Sequence, residues 1–372
     1  MSRRRANSPL LPACYALVIP GLEGIAAEEI AGELGAEIKK KPNGAVVFRT
    51  EDISNRLLNL RTTEDVFLLA WGTDELTYRA TDLESIRRWT AHVDWDHLLR
   101  IHHAIRPKPK ARPTFRLITQ MHGQHGYRRM DAGKALAKGL AGKLPASWKH
   151  AEENASVEVW LTIQGRRALC GLRLSDRSMR HRQYKREHIP ASLRPTVAAA
   201  MVRLAEPRRG EFVLDPMCGA GTILAELDDF WKGTYPGRGH EKLQVWAGDF
   251  DAHALRSARS NLIRFENARL ARWDARHLPL SDHTVGCIIS NPPFGIQLKR
   301  PEGMRTFYSR LMNELDRVLR PGGRAVLLVS DFDALKEAAA GVSWKLGKQL
   351  EVRILGQLST LALWQKGAAR HE

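Results

Sequence analysis

Asn291-Pro292-Pro293-Phe294-Gly295 places an amide, two rigid rings and an aromatic side chain together. It follows the apolar run Val285–Ile289, which predicts a buried parallel strand. Two consecutive prolines cannot continue a strand, and they stiffen the loop that leaves it. The amide and the ring are therefore expected at the carboxyl end of a strand, where open α/β sheets bind ligands. Methylation of a planar amine suits such a loop. An amine conjugated to a ring is a weak nucleophile, because its lone pair is delocalised. The Asn291 side-chain carbonyl and the Pro292 backbone carbonyl can accept its two N–H bonds and keep electron density on nitrogen during attack. Phe294 can stack on a base that has left its helix. Alone, the motif reads equally well as a proline-rich turn with a buried Phe, so the residues upstream decide.

Asp215-Pro-Met-Cys-Gly-Ala-Gly-Thr222 follows the expected strand Glu211–Asp215 and opens the helix Ile223–Phe230. Gly219 and Gly221 let the backbone approach a ligand closely. The spacing is not that of a dinucleotide loop, and the helix start at Thr222 can instead receive a carboxylate. Asp249 or Asp251, ending the second strand, is placed for ribose hydroxyls, and Asp274, after the third, for an adenine amine. Glycine loop, strand-end acids and Asn-Pro-Pro-Phe, in this order, describe a pocket for S-adenosylmethionine. Direct transfer from its sulfonium needs no metal, and the four cysteines form no C-x-x-C pair.

These residues need a scaffold. From Gly210 the pattern alternates strand and helix, with candidate strands Glu211–Asp215, Gln244–Asp249, Ala268–Trp273, Val285–Ser290, Arg324–Ser330, Leu350–Leu355 and Ser359–Trp364. Ala252–Phe265 and Met304–Leu319 read as helices between them. The last two strands have a short connection and must be antiparallel. This is an α/β class, a Rossmann-like doubly wound sheet with a terminal hairpin. Trp231–Lys242 reads as a loop inserted before the second strand.

The front half reads as α+β: strands at Tyr15–Ile19, Ala45–Phe48 and Val66–Trp71, helices at Ala26–Leu34 and Ile53–Leu60. One helical stretch is expected over Leu83–Leu99. Then come a strand Phe115–Thr119, a helix Ala132–Leu144, and a hairpin from Val157–Ile163 and Ala168–Leu174. Lys108, Lys110, Arg112, Arg128, Arg129 and Lys134 could form a phosphate-contacting face. The linker Asp176–His188, with Arg182 and Lys185, could track a nucleic-acid backbone. Ser192 is a candidate cap for the helix running from Pro195 to Ala205.

The 372 residues carry 58 Lys+Arg against 41 Asp+Glu, a formal charge of +17, which points to a polyanionic partner, most simply nucleic acid. No stretch is long and apolar enough to span a bilayer, and the N-terminal residues are too weak for a signal peptide, so a cytoplasmic protein is expected.

Phe115–Leu174, with the helical region before it, resembles a THUMP domain, the RNA-binding module of several RNA-modifying enzymes. Taken with the catalytic half, most of the chain resembles the THUMP-containing tRNA guanine-N2 methyltransferases. That resemblance implies Asp215, Gly219, Gly221 and Thr222 in the cofactor loop, Asp249 and Asp274 at ribose and adenine, and Asn291, Pro292 and Phe294 in catalysis. It places His188–Ala200, with Ser192, near the methionine end of the cofactor. It implies an N-terminal ferredoxin-like region over 1–75, a THUMP-like domain over 76–175, a basic linker over 176–190 and a methyltransferase domain over 191–372. The substrate it implies is a guanine N2 of tRNA, with acceptor-stem position six in view; apart from the resemblance, a monomer is expected. A 23S rRNA guanine, an adenine N6 in DNA, a glutamine amide, or an inert methyltransferase fold that only binds RNA are the rival readings.

Overall fold

The computed structural model describes residues 12–187, 189, 192–235, 244–265, 268–293, 303–342, 344–354 and 356–368. The chain forms two compact units. One takes the chain up to Leu17 together with Ala27–Met179; the other takes Val18–Ala26 and everything from Arg180.

The first unit contains β1 (Ala13–Leu17), α1 (Glu23–Leu34, whose first turn belongs to the second unit), β2 (Glu37–Lys40), β3 (Ala45–Arg49), β4 (Asp65–Thr73), α2 (Thr81–Ala91), α3 (Trp95–Ile105), β5 (Thr114–His122), α4 (Arg129–Leu140), β6 (Lys149–His150), β7 (Val157–Gln164) and β8 (Arg167–Arg173). They make one 8-stranded sheet in the order β2-β3-β1-β4-β8-β7-β5-β6. The sheet runs across the boundary expected after residue 75, because β4 pairs antiparallel with β8 from Phe67↔Arg173 to Thr73↔Ala168. Its apolar face closes around Tyr15, stacked on Phe67 at 4.5 Å, with Trp160 edge-on to Phe67. The stretch expected as one helix over 83–99 is two. Asp94 accepts a hydrogen bond from the His97 backbone N–H at 2.9 Å and starts α3 afresh. Residues 53–60 hold only a short 3-10 turn, Asn55–Asn59.

The second unit contains α5 (Pro195–Ala205), β9 (Phe212–Asp215), α6 (Thr222–Thr234), β10 (Gln244–Asp249), α7 (Ala252–Asn261), β11 (Ala268–Arg272), β12 (Val285–Ser290), α8 (Met304–Val318), β13 (Leu319–Val329), α9 (Phe332–Gly341), β14 (Lys345–Ile354) and β15 (Gln357–Gln365). The 7-stranded sheet has the order β11-β10-β9-β12-β13-β15-β14. Its strands are parallel as far as β13, while β15 runs antiparallel to both β13 and β14. Trp231–Thr234, expected in an inserted loop, form the last turn of α6, and 236–243 lie outside the described residues.

Every residue of β12 is buried. From Cys287 its side chains alternate between two cores: Cys287 and Ile289 join the cluster around α5, α6 and α7, while Ile288 joins the one around α8 and α9, as does Val285 before the register shift at Val285/Cys287. Burial of each large apolar side chain contributes about 1.5–3 kcal/mol, which holds the end of β12 firmly in register. The strand order reverses between β9 and β12, so the crevice at their carboxyl ends is where a ligand belongs.

Candidate cofactor and methyl-acceptor site

Asp215 ends β9 and Ser290 ends β12, side by side at that reversal. The Ser290 hydroxyl donates to Asp215 Oδ1 at 2.9 Å, and the Met217 backbone N–H donates to the same oxygen at 3.3 Å. Asp215 Oδ2 is buried and carries no hydrogen bond. Burial pushes the Asp215 carboxyl up to about 7; the neighbouring Asp249 adds to this, and the bonds from Ser290 and Met217 work against it.

A cavity of about 390 Å³ opens in front of these strand ends, lined among others by Ser192, Asp215, Gly219, Asp249, Asp274 and Asn291. The cofactor loop wraps one side. Gly221 sits at φ +77°, where a Cβ would also press on Leu262 Cδ1 at 2.9 Å. Thr222 is the first residue of α6, so the helix start faces the loop. Asp249 holds the loop in place: its Oδ2 accepts from the Gly219 N–H at 2.9 Å and its Oδ1 from the Asp251 N–H at 2.9 Å. Asp251 caps α7 by accepting from the His253 N–H at 2.8 Å. Asp274 is gripped by the Arg276 guanidinium through Nε at 2.9 Å and Nη2 at 2.6 Å.

The donor set fits S-adenosylmethionine. Asp215 Oδ2, Ser192 Oγ and Asn291 Oδ1 are all buried, belong to residues that line this cavity, and have no hydrogen-bond partner among the described residues. Orphaned buried polar atoms are rare, and three around one cavity point to ligand groups that complete them. An anionic acceptor suits an ammonium, a hydroxyl suits either end of an amino acid, and an amide carbonyl suits an amine N–H. Pro292 is buried beside Asn291, and Phe294 lies outside the described residues.

Sequence reasoning missed two features of the wall. Phe250, 56% exposed, stands at the cavity beside Asp249. Trp273 donates its indole N–H to the Pro216 carbonyl at 3.0 Å, tying the end of β11 to the cofactor loop. The indole fits only because residue 248 is glycine, where a Cβ would lie 2.4 Å from Trp273 Cε2 and 2.4 Å from the Ala271 carbonyl oxygen. A glycine inside a strand is the one sequence signal for such close approach.

The expected nucleic-acid contacts divide. Lys108, Lys110 and Arg112, between α3 and β5, and Arg128, Arg129 and Lys134, at the start of α4, are exposed. Arg182 and Lys185 are corrections. Arg182 is buried, with its Nε 3.3 Å from Glu226 Oε1, and Lys185 Nζ donates to the Leu193 carbonyl at 2.8 Å. Both heads are turned onto the second unit, so the linker is stitched down there instead of presenting these two cations to RNA. No cluster of three or more metal-binding side chains occurs among the described residues.

Known proteins resemble this chain in sequence and in fold. Residues 182–360 match the UPF0020 family, an RMKL-like methyltransferase domain. The tRNA (guanine(6)-N2)-methyltransferase of Thermus thermophilus is 30% identical over 327 residues, covering 86% of this chain and 89% of that one. The human U6 snRNA (guanine-N(2))-methyltransferase THUMPD2 is 31% identical over 220 residues, but the match spans only 41% of its length. The crystal structure of TrmN from Thermus thermophilus superposes with a TM-score of 0.74 at 26% identity, covering 95% of this chain and 99% of that one.

Proposed function

The chain belongs to the tRNA guanine-N2 methyltransferase family, and we propose that it methylates the exocyclic N2 of a guanine in the acceptor stem of tRNA, at position six. The observation that carries this reading is the trio of unpartnered buried atoms, Ser192 Oγ, Asp215 Oδ2 and Asn291 Oδ1, around one cavity at the sheet's switch point.

S-adenosylmethionine supplies the methyl group as an activated electrophile, so the protein's task is placement. Asp215 holds the ammonium of the amino-acid end, and Ser192 the same end from the opposite wall. Asp249 takes the ribose hydroxyls, Asp274 the adenine amine, and the start of α6 at Thr222, with Gly219 and Gly221 before it, the carboxylate. Asn291 and the Pro292 carbonyl accept the two guanine N–H bonds, which keeps the lone pair on nitrogen. Phe294 stacks on the extruded base. Lys108, Lys110, Arg112, Arg128, Arg129 and Lys134 contact phosphates. The protein works as a monomer in the cytoplasm, where mature-length tRNA is met. No helix among the described residues is long and apolar enough to cross a membrane.

Labelled methyl transfer to unmodified tRNA transcripts, followed by nucleoside analysis, tests the proposal. N2-methylguanosine that disappears when guanine six is replaced is the expected result. Label that enters U6-type snRNA or rRNA and never tRNA would overturn the choice of substrate.

A further inference from the structure

Asn261, the last residue of α7, is 4% exposed, and its amide uses all its bonding capacity on backbone groups. Its Oδ1 accepts from the Arg186 N–H at 2.8 Å and the Glu187 N–H at 2.9 Å. Its Nδ2 donates to the Glu187 carbonyl at 3.1 Å and to the Ala220 carbonyl at 3.0 Å. Ala220 lies between the two glycines of the cofactor loop, while Arg186 and Glu187 lead directly to Ile189, Ser192 and Leu193, which line the cavity. One side chain thus bridges the cofactor loop and the segment that walls the other side of the pocket. That segment is also held by Tyr184, whose hydroxyl donates to Glu226 Oε1 at 2.7 Å, and by Lys185 on the Leu193 carbonyl.

We propose that Asn261 is a positioning residue for the methyl donor. It fixes the spacing between the Cys218–Thr222 loop and the backbone of Arg186 and Glu187, so that donor affinity depends on this amide although it touches neither substrate. The geometry asks for an amide: only a group that both donates and accepts can bond a carbonyl and two N–H groups at once. A buried Asn that merely finished α7 would bond α7's own carbonyls; this one bonds none of them. The proposal rests on the cofactor reading of the cavity.

The test uses the full chain with S-adenosylhomocysteine as probe. Asn261→Asp keeps the acceptor for Arg186 and Glu187 and loses both donated bonds, and Asn261→Ala loses all four. S-adenosylhomocysteine Kd should rise about tenfold or more in each, the scale of leaving buried backbone groups unsatisfied. The KM for RNA and kcat at saturating donor should stay within about twofold, a split that general destabilisation would not produce. A second measurement reads the segment directly. Trypsin cleavage after Lys185 and Arg186 should slow when saturating S-adenosylhomocysteine is added to the wild-type chain, and much less so in Asn261→Asp. Wild-type affinity in a folded variant, or cleavage at Arg186 indifferent to the ligand, overturns the proposal while leaving the cofactor site standing. A wild-type chain that does not bind S-adenosylhomocysteine at all removes the cofactor reading first, and this proposal with it.

Discussion

Ser290 donates to Asp215 across the point where the strand order reverses, joining the residue before Asn291 to the acid that ends β9 at 2.9 Å. Because β9 and β12 are neighbouring parallel strands, this one bond links the glycine-loop side of the cavity to the side where Asn291 stands. It leaves Asp215 with one free oxygen in an apolar setting, and that has a consequence for pH.

The Asp215 carboxyl is raised to about 7 in the folded chain, against 3.8 for an ordinary aspartate. Its folded form therefore holds a proton that the unfolded chain has lost between pH 4 and 7, so its contribution to stability falls as pH rises through that window and levels off above it. Donor binding runs the opposite way, since an ammonium favours the ionised carboxylate. S-adenosylhomocysteine affinity should rise from pH 6 towards pH 7.5, as the carboxyl ionises while the ligand's ammonium stays protonated. Calorimetric titration across this range should show the rise, and Asp215→Asn should remove it and weaken binding about tenfold or more. An affinity in the wild-type chain that is flat between pH 6 and 7.5 would refute the ammonium contact.

Asn291→Ala removes a buried carbonyl that has no hydrogen-bond partner among the described residues. If that oxygen accepts the guanine N–H as nitrogen attacks, the bond strengthens in the transition state and its loss lowers kcat by about 10²–10³-fold. S-adenosylhomocysteine Kd should change by less than about threefold. Single-turnover methylation with saturating donor measures the first quantity, and equal rates for the two proteins would rule out the role.

Gly248→Ala puts a methyl group into space held by the Trp273 ring and the Ala271 carbonyl, both 2.4 Å from the new atom. Neither is the loose end of a flexible side chain, so β10 and β11 must part. Overpacking of this kind costs about 1–3 kcal/mol or more. Urea unfolding should show the loss, and the pairing of β10 with β11 should be the first region to exchange its amide protons. The double change Gly248→Ala with Trp273→Ala should cost less than the sum of the two single changes, because the truncated ring no longer meets the new methyl group.

Much of this site was legible because its residues answer to local rules. Asn291-Pro-Pro, the glycines at 219 and 221 and the acids at 249 and 274 stand at strand ends, and strand ends are marked by where an apolar run stops. The parts that escaped depend on contacts between distant segments. Gly248 matters only because Trp273 arrives from the next strand. Arg182 reads as a solvated cation until Glu226 on α6 is brought beneath it. The pairing of β4 with β8, which carries one sheet across the boundary expected after residue 75, was hidden for the same reason: the two strands are a hundred residues apart, and nothing in either announces that they pair. Asp94 could have been read as a cap, but the apolar spacing on both sides continued through it and hid the break between α2 and α3.

His102, on α3 in the first unit, provides a pH test away from the cavity. It is 2% exposed, its Nδ1 has no hydrogen bond, and its pKa falls to about 4 through burial first and then the neighbouring His103. An unfolded histidine takes up its proton near pH 6.5, well before the folded one does. The unfolded state therefore binds more protons between pH 6.5 and 4, and stability drops as pH falls through that window. The full loss is roughly 3 kcal/mol for a shift of this size, reached only near pH 4. Urea unfolding of the first unit at pH 7.5 and pH 5 should show the decline, and His102→Gln, which cannot titrate, should flatten it. A wild-type chain equally stable at both values would mean that another group takes up the compensating proton in the folded state.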